Sequence, residues 1–289
     1  MVVARSHFST TLSRQNQLHT ITLHLDFLRR TEKGPATFTV RDAKLGRQTS
    51  TIHISLAQQI NNESREEVVG YITNSNLETE SGVSFDTHWS LHPSPPSADL
   101  SKFSSDTDAT WAEQRFMPFA EFRKASQKVK FFFPRQGQRV RSAVDEWITF
   151  KTTSASGRKE RFTNESLGFV SDMWPQIIEG HREEEVYDIS RQGKTTVQGT
   201  PVARFWYPTV LLNLDVKKAL PVEGVEWLFV RVRAKTIRNG RYDLEVVILD
   251  EEGDVVALSH QVALCVPAAR NLAKRGSFET ESQGSTPKL

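Results

Sequence analysis

The sequence predicts an α+β protein made of two related units, each a helix followed by an antiparallel sheet. Two observations carry that prediction. The ends of the chain echo each other, and apolar residues alternate with polar ones along several short runs. Thr20-Ile21-Thr22-Leu23-His24-Leu25-Asp26-Phe27 reads like Thr209-Val210-Leu211-Leu212-Asn213-Leu214-Asp215-Val216, an offset of 209 − 20 = 189. Gly46-Arg47 is matched by Gly240-Arg241, at 240 − 46 = 194. Glu67-Val68-Val69-Gly70-Tyr71-Ile72-Thr73-Asn74 is matched by Asp254-Val255-Val256-Ala257-Leu258-Ser259-His260-Gln261, at 254 − 67 = 187. Strands resemble one another, so each echo alone is weak. Three in one order at nearly one spacing point to a duplication and a pseudo-dimer, with an interface where a site can sit.

The elements follow in order. Residues 2–15 run at roughly helical spacing and break at Arg14-Gln15-Asn16-Gln17. Ile21, Leu23, Leu25 and Phe27 alternate with Thr22, His24 and Asp26, the pattern of a half-buried strand. Lys33-Gly34-Pro35 turns the chain, Phe38 and Val40 begin a second strand, Ile52, Ile54 and Leu56 mark a third, and Val68 to Ile72 a fourth. This first unit is assigned to 1–80. Residues 76–108 are rich in Ser, Thr, Asp and Pro, which predicts a linker, bounded at 81–125, with a short helix over Trp111 to Lys124. The second unit, 126–270, opens on a strand at Asp145 to Phe150. Thr163 or Asn164 caps a helix carrying Leu167, Phe169, Val170 and Met173, which Pro175 bends or ends. Strands are expected at 204–216, 226–237, 241–249 and 255–266, with tight turns at Asn239-Gly240 and Glu252-Gly253. The polar stretch 271–289 predicts a disordered tail. A helix wrapped by such a sheet is the hotdog arrangement. Two in one chain, with sheets joined edge to edge, make a double hotdog.

Composition sets the bounds. The 289 residues are 37% hydrophobic and 25% charged, with a formal net charge of +2, so no bulk nucleic-acid footprint exists. No apolar run approaches a membrane span, and the N-terminus lacks a signal-peptide pattern. The single cysteine, Cys265, excludes an intramolecular disulfide and sits in an apolar run, as a buried structural thiol would. The expected location is cytoplasmic. Pro287-Lys288-Leu289 is one residue away from a peroxisomal address, which keeps the peroxisome open as the alternative.

Several segments bear a family resemblance. Leu167-Gly168-Phe169-Val170-Ser171-Asp172 resembles the helix motif of the type II acyl-CoA thioesterases. Glu226-Trp227-Leu228-Phe229, the Asp250 to Gly253 turn and Val255 to Gln261 fall where that family has matching segments. Leu25 to Thr31 and Leu45 to Gln48 look like the fungal branch of the thioesterase-like superfamily. The resemblance covers about 15–75 and 140–266. It implies a double-hotdog enzyme of lipid metabolism with a catalytic Asp on the second helix, a Thr on the following strand and a Gln on the last strand. These fall on Asp172, Thr209 and Gln261.

The residue types suit thioester hydrolysis. A carboxylate can take a proton from water as general base, and a hydroxyl and an amide can hold that water in line. Gly168, which would let the thioester approach closely, is the candidate substrate-binding position and marks the neighbourhood of an oxyanion site. The bland readings are a solvated or capping Asp172, a β-forming Thr209 and a surface Gln261. His260 reads as a structural strand residue.

The echo also predicts one active site per chain. Thr20 matches Thr209 and Asn74 matches Gln261, but the counterpart of Asp172, 209 − 172 = 37 residues upstream of Thr20, falls before Met1. The resemblance further implies that 1–289 begins inside the first unit's helix, so a preceding strand is missing and a sheet edge is left unpaired.

Other chemistries lack their motifs. Gly-x-Ser-x-Gly, a Walker loop and Gly-x-Gly-x-x-Gly are absent. His181 with Glu183 and Glu184 has no second His at metal spacing, so neither a metal nor a cofactor is expected. The basic stretch Arg123, Lys124, Lys128, Lys130, Arg135, Arg139 and Arg141, interleaved with Phe131 to Phe133, reads as a solvated face or as a contact for coenzyme A phosphates. The expected partner is an acyl-CoA or acyl-carrier thioester, with no nucleic acid or membrane, and a homo-oligomer is left open. The alternative function is a non-catalytic double hotdog that binds an acyl or polyketide ligand or a protein partner.

Overall fold

A computed structural model describes residues 1–115, 123–151, 157, 159–181 and 204–268. The expected tail at 271–289 lies outside the described residues, as do 116–122 of the expected 111–124 helix and Glu183 and Glu184 beside His181.

The chain opens on helix α1 (Val2–Thr10), which buries Ala4 and Phe8. Strands β1 (His19–Phe27), β2 (Thr37–Lys44), β3 (Ser50–Ile60) and β4 (Glu63–Ser75) follow. Next come β5 (Trp111–Glu113), β6 (Val129–Pro134) and β7 (Ala143–Phe150). A helical segment starts at Asn164 and becomes helix α2 (Leu167–Ser171). Then come β8 (Phe205–Trp206), β9 (Thr209–Val216), β10 (Leu228–Arg233), β11 (Ile237–Arg238), β12 (Arg241–Leu249), β13 (Val255–Leu264) and β14 (Val266–Pro267).

One antiparallel sheet runs in the order β2-β3-β4-β1-β9-β13-β12-β10-β7-β6-β5. Its middle is the duplication itself, because the echoed strands β1 and β9 pair with each other. His24 lies opposite Asn213, Leu23 opposite Leu214 and Leu25 opposite Leu212. His24 and Asn213 are equivalent at offset 189, so the pseudo-two-fold axis passes through that pair. The His24 Nδ1 and the Asn213 Oδ1 are 2.7 Å apart across it. The same offset extends outward. β1 shifts register between Thr20 and Thr22, and the β9–β13 ladder shifts at the matching place, where Thr209 faces Ala263. Asn74 faces Thr20 as Ala263 faces Thr209. The third echo, at offset 187, is therefore two residues out of register. The structural counterpart of Gln261 is Ile72, and that of Asn74 is Ala263.

Period-2 alternation explains the core. Ile52, Ile54 and Ile72 of the first half and Leu212, Leu214, Val230, Leu244, Val246 and Ile248 of the second face inward. Ala4, Phe8 and Leu12 cover one half, and Leu167, Val170, Met173 and Trp174 the other. Truncating a fully buried aromatic such as Phe8 costs about 3–5 kcal/mol at such sites.

Four expectations change. The stretch 81–125 is more than a linker: Leu91, Ala98, Leu100, Phe103 and Trp111 cover the outer sheet face on Trp147, Trp227, Phe229 and Val247. Sparse apolar anchors in a polar sequence suffice for this. Trp111 to Glu113 is a strand, not the start of a helix, because it pairs with β6. The basic stretch conceals β6, whose Phe131, Phe132 and Phe133 are all buried. Cys265 is half-buried at the edge of the core, its N–H bonded to the Gly240 carbonyl. β2 forms one edge of the sheet and is mostly exposed, Phe38 included.

Candidate active site

The site is built where α2 ends. The Thr163 backbone N–H donates to the Ser166 hydroxyl at 3.1 Å and starts the helical turn. The helix stops at Ser171, three residues before the Trp174-Pro175 step, where proline disfavours helical backbone at the residue before it. The Tyr242 hydroxyl then donates to the Pro175 carbonyl at 2.6 Å and pins the descending chain to β12.

Helix ends leave carbonyls without partners. Here Gln261 of β13 supplies one: its Nε2 donates to the Ser171 carbonyl at 2.7 Å. Gln261 is fully buried, and among the described residues its Oε1 has no partner. A buried acceptor therefore sits beside the end of α2.

Asp172 is the next residue. The Thr209 hydroxyl at the start of β9 donates to Asp172 Oδ1 at 2.7 Å. Part of Asp172 opens into a cleft of about 360 Å³ that also touches Gly168, Met173, Lys124, Glu179 and Tyr207. Protein crowds the carboxylate on its other sides. That desolvation raises its pKa to about 6, and the bond from Thr209 acts the other way by favouring the charged form. Burial likewise pushes the Tyr242 hydroxyl up, with Cys265 and Asp172 nearby adding to it.

Three of the four expected positions thus meet around one turn. Asp172 and Thr209 bond directly, and Gln261 reaches the residue before Asp172. Gly168 lines the same cleft, where an added Cβ would meet the Met1 sulfur at 3.3 Å. It lies within the helical segment and not at its start, so the first free N–H groups belong to residues before it. His260 is exposed on the opposite strand face from Gln261.

The basic stretch divides. Arg123 and Lys124 line the Asp172 cleft. Lys130 pairs with Glu113, Arg135 with Asp106, and Arg139 donates to the Ser94 carbonyl, all away from it. Sequence reasoning missed Glu179 and Tyr207, whose hydroxyl donates to the Glu179 carboxylate at 2.5 Å at the cleft wall. Neither belongs to the family segments quoted from the sequence, so neither gave a signal.

Residues 94–265 match the family model of the acyl-CoA thioesterase C-terminal domain, and residues 1–75 match that of its N-terminal domain. The chain belongs to the acyl-CoA thioesterase family. It is a thioester hydrolase. It is 33% identical over 302 residues to the thioesterase-like protein TwmA of Talaromyces wortmannii, covering 94% of this chain and 83% of that relative. A candidate thioesterase II from Thermobifida fusca superposes with a TM-score of 0.62 at 19% identity, over 88% of this chain and 81% of that one. A hot dog fold protein of unknown function from Alicyclobacillus acidocaldarius gives 0.55 at 14% identity, over 92% and 86%. These structures share the double-hotdog architecture of this thioesterase. Among its described residues no helix is long and apolar enough to cross a membrane, and no cluster of His, Cys, Asp or Glu could hold a metal ion.

Proposed function

We propose that this thioesterase hydrolyses acyl-CoA thioesters by direct attack of water, with Asp172 as general base. Thr209 and Gln261 are the groups that hold the water. The observation that supports this most is the desolvated Asp172, with a pKa near 6 and a cleft in front of it. A base poised about one unit below neutral is mostly ionised at pH 7 yet still accepts a proton.

The steps balance. Water gives a proton to Asp172 as its oxygen bonds to the thioester carbon, forming a tetrahedral oxyanion. Collapse breaks the C–S bond. The leaving sulfur takes the proton back from Asp172, releasing free thiol and carboxylic acid. Gly168, which lines the cleft, is the position proposed to lie beside the thioester carbonyl. Lys124, exposed at the cleft, suits a phosphate of coenzyme A and would equally accept a carrier-protein phosphopantetheine.

The test is thiol release from a panel of acyl-CoA and acyl-carrier thioesters. Turnover of at least one class well above the buffer rate is expected. No release from any of them would leave the non-catalytic acyl-binding reading in its place.

A further inference from the structure

A second cavity, of about 180 Å³, adjoins the Asp172 cleft. The two share Glu179 as a common wall. Phe133, Val144, Trp174 and Ile177 give the second cavity an apolar lining, as an alkyl chain would require. Asp172 and Gln176 are four residues apart on one strand of chain, at most ~14 Å when extended.

Two polar groups do not fit a plain alkyl pocket. Gln176, 1% exposed, lines the cavity. Its Oε1 accepts from the Arg123 guanidinium, which itself stands 5.8 Å from the Trp174 ring centroid. A guanidinium only donates, so the amide is oriented with Nε2 as the other end. Among the described residues that Nε2 is buried and has no acceptor. Glu146 of β7 is fully buried, and neither of its carboxylate oxygens has a partner among the described residues. It lies on the inward face two residues from Val144, which lines the cavity. Burial drives its carboxyl well above the usual range, against the pull of Arg123, and so favours the protonated form, the one able to donate.

A buried donor left unpaired has lost its water without regaining a bond, at a net cost in free energy. The Gln176 amide in the cavity wall, with the Glu146 carboxyl on the same strand face as the lining Val144, is a standing preference for a ligand that offers an acceptor. We infer that this cavity takes the distal part of an acyl chain bearing a hydroxyl or keto oxygen, which Gln176 and Glu146 recognise. A hydrocarbon chain would leave both groups unpaired. The inference deepens the thioesterase reading by naming its substrate class, and it rests on that reading for the point where the chain is attached.

The experiment separates the two. Non-hydrolysable thioether analogues of decanoyl-CoA and of its mono-hydroxy and mono-oxo forms, with oxygen at each position along the chain, are titrated calorimetrically into the wild-type protein. The analogue with oxygen at the matching distal position should bind at least about tenfold tighter than the plain one, the scale set by pairing one buried donor that is otherwise left unsatisfied. Gln176→Leu should erase that preference and bind the plain analogue more tightly than wild type does, a gain that a misfolded variant cannot show. Glu146→Gln, which keeps a donor, should retain the preference, and Glu146→Leu should weaken it. If the plain analogue binds as tightly as every oxygenated one, buried water answers the two groups and the inference is wrong. Thiol release is read separately on the corresponding thioesters. Preserved selectivity without hydrolysis would sink the catalytic reading and leave the cavity assignment standing.

Discussion

In the first unit the Thr20 hydroxyl donates to the Asn74 side chain at 3.1 Å, and the Asn74 amide is used on the Gln17 carbonyl. In the second unit the equivalent threonine, Thr209, donates to a carboxylate. The first arrangement is a closed structural network, with Gln17 tied on to the Gly46 and Arg47 carbonyls. The second ends on an acid that opens into a cleft. Ile72 in the first unit is core, and its counterpart Gln261 in the second carries an amide to the end of a helix. The sheet was duplicated almost strand for strand, down to the bulge, and the two copies then took different work. Where they differ most is the connection. α1 ends at Thr10 and β1 begins at His19, whereas α2 ends at Ser171 and β9 begins at Thr209.

That difference corrects one step of the sequence argument. Counting back 37 residues from Thr20 assumed equal connections. Between Met1 and the start of β1 there is no acidic residue to stand where Asp172 stands in the second unit.

The largest expected effect is on Asp172. Asp172→Asn keeps the bond from Thr209 but removes the base, so kcat should fall roughly 10²-fold or more in an acyl-CoA assay. Equal rates would make the two units chemically alike. Gln261→Ile installs the first unit's residue. It should lower kcat by about tenfold or more through lost orientation, while chemical denaturation shows a change below about 2 kcal/mol. A loss of folding with the rate per folded molecule intact would make Gln261 a helix cap and nothing else.

Stability should move the other way at Asp172. Its folded-state pKa, about 6, lies above the ordinary carboxylate value, so the native state holds the proton more tightly than the unfolded chain. Native stability is therefore lost as pH rises from about 4 to 6, and the ionised form costs on the order of 3 kcal/mol at pH 7.5. Asp172→Asn should raise Tm at pH 7.5, with the gain vanishing near pH 4. A variant that melts lower at pH 7.5 would mean that the charge is stabilised, not strained. The smallest effect belongs to the first unit. Thr20→Val should cost about 1 kcal/mol in denaturation and leave kcat/KM unchanged.

The sequence made the strands legible because alternation survives any context: β12 is bounded at 241–249 as its pattern predicts. Asp172, Thr209 and Gln261 were legible through a family motif, not through any local property. What stayed hidden depends on tertiary neighbours. Phe131 to Phe133 lie among lysines and arginines, whose charges outweighed the apolar run. Leu91, Phe103 and Trp111 are too sparse to signal a layer until Trp147 and Phe229 are beneath them. Glu146 looks like any strand carboxylate until the fold removes its solvent. The two-residue slip in the third echo arose because the apolar Val-Val pair in each strand aligned more readily than the ladder that fixes register.

The two pairs divide the work on this reading: Thr209–Asp172 acts as a base, and the contrast with Thr20–Asn74, which only holds structure, can be measured. It is tested most directly by kcat/KM against pH for wild type, Thr209→Val and Thr20→Val. Wild type should lose activity on acidification through a limb near pH 6. Thr209→Val removes the bond that favours ionised Asp172, so its limb should move to higher pH, and Thr20→Val should keep the wild-type limb. A limb that stays in place without Thr209, or that moves without Thr20, would contradict the claim.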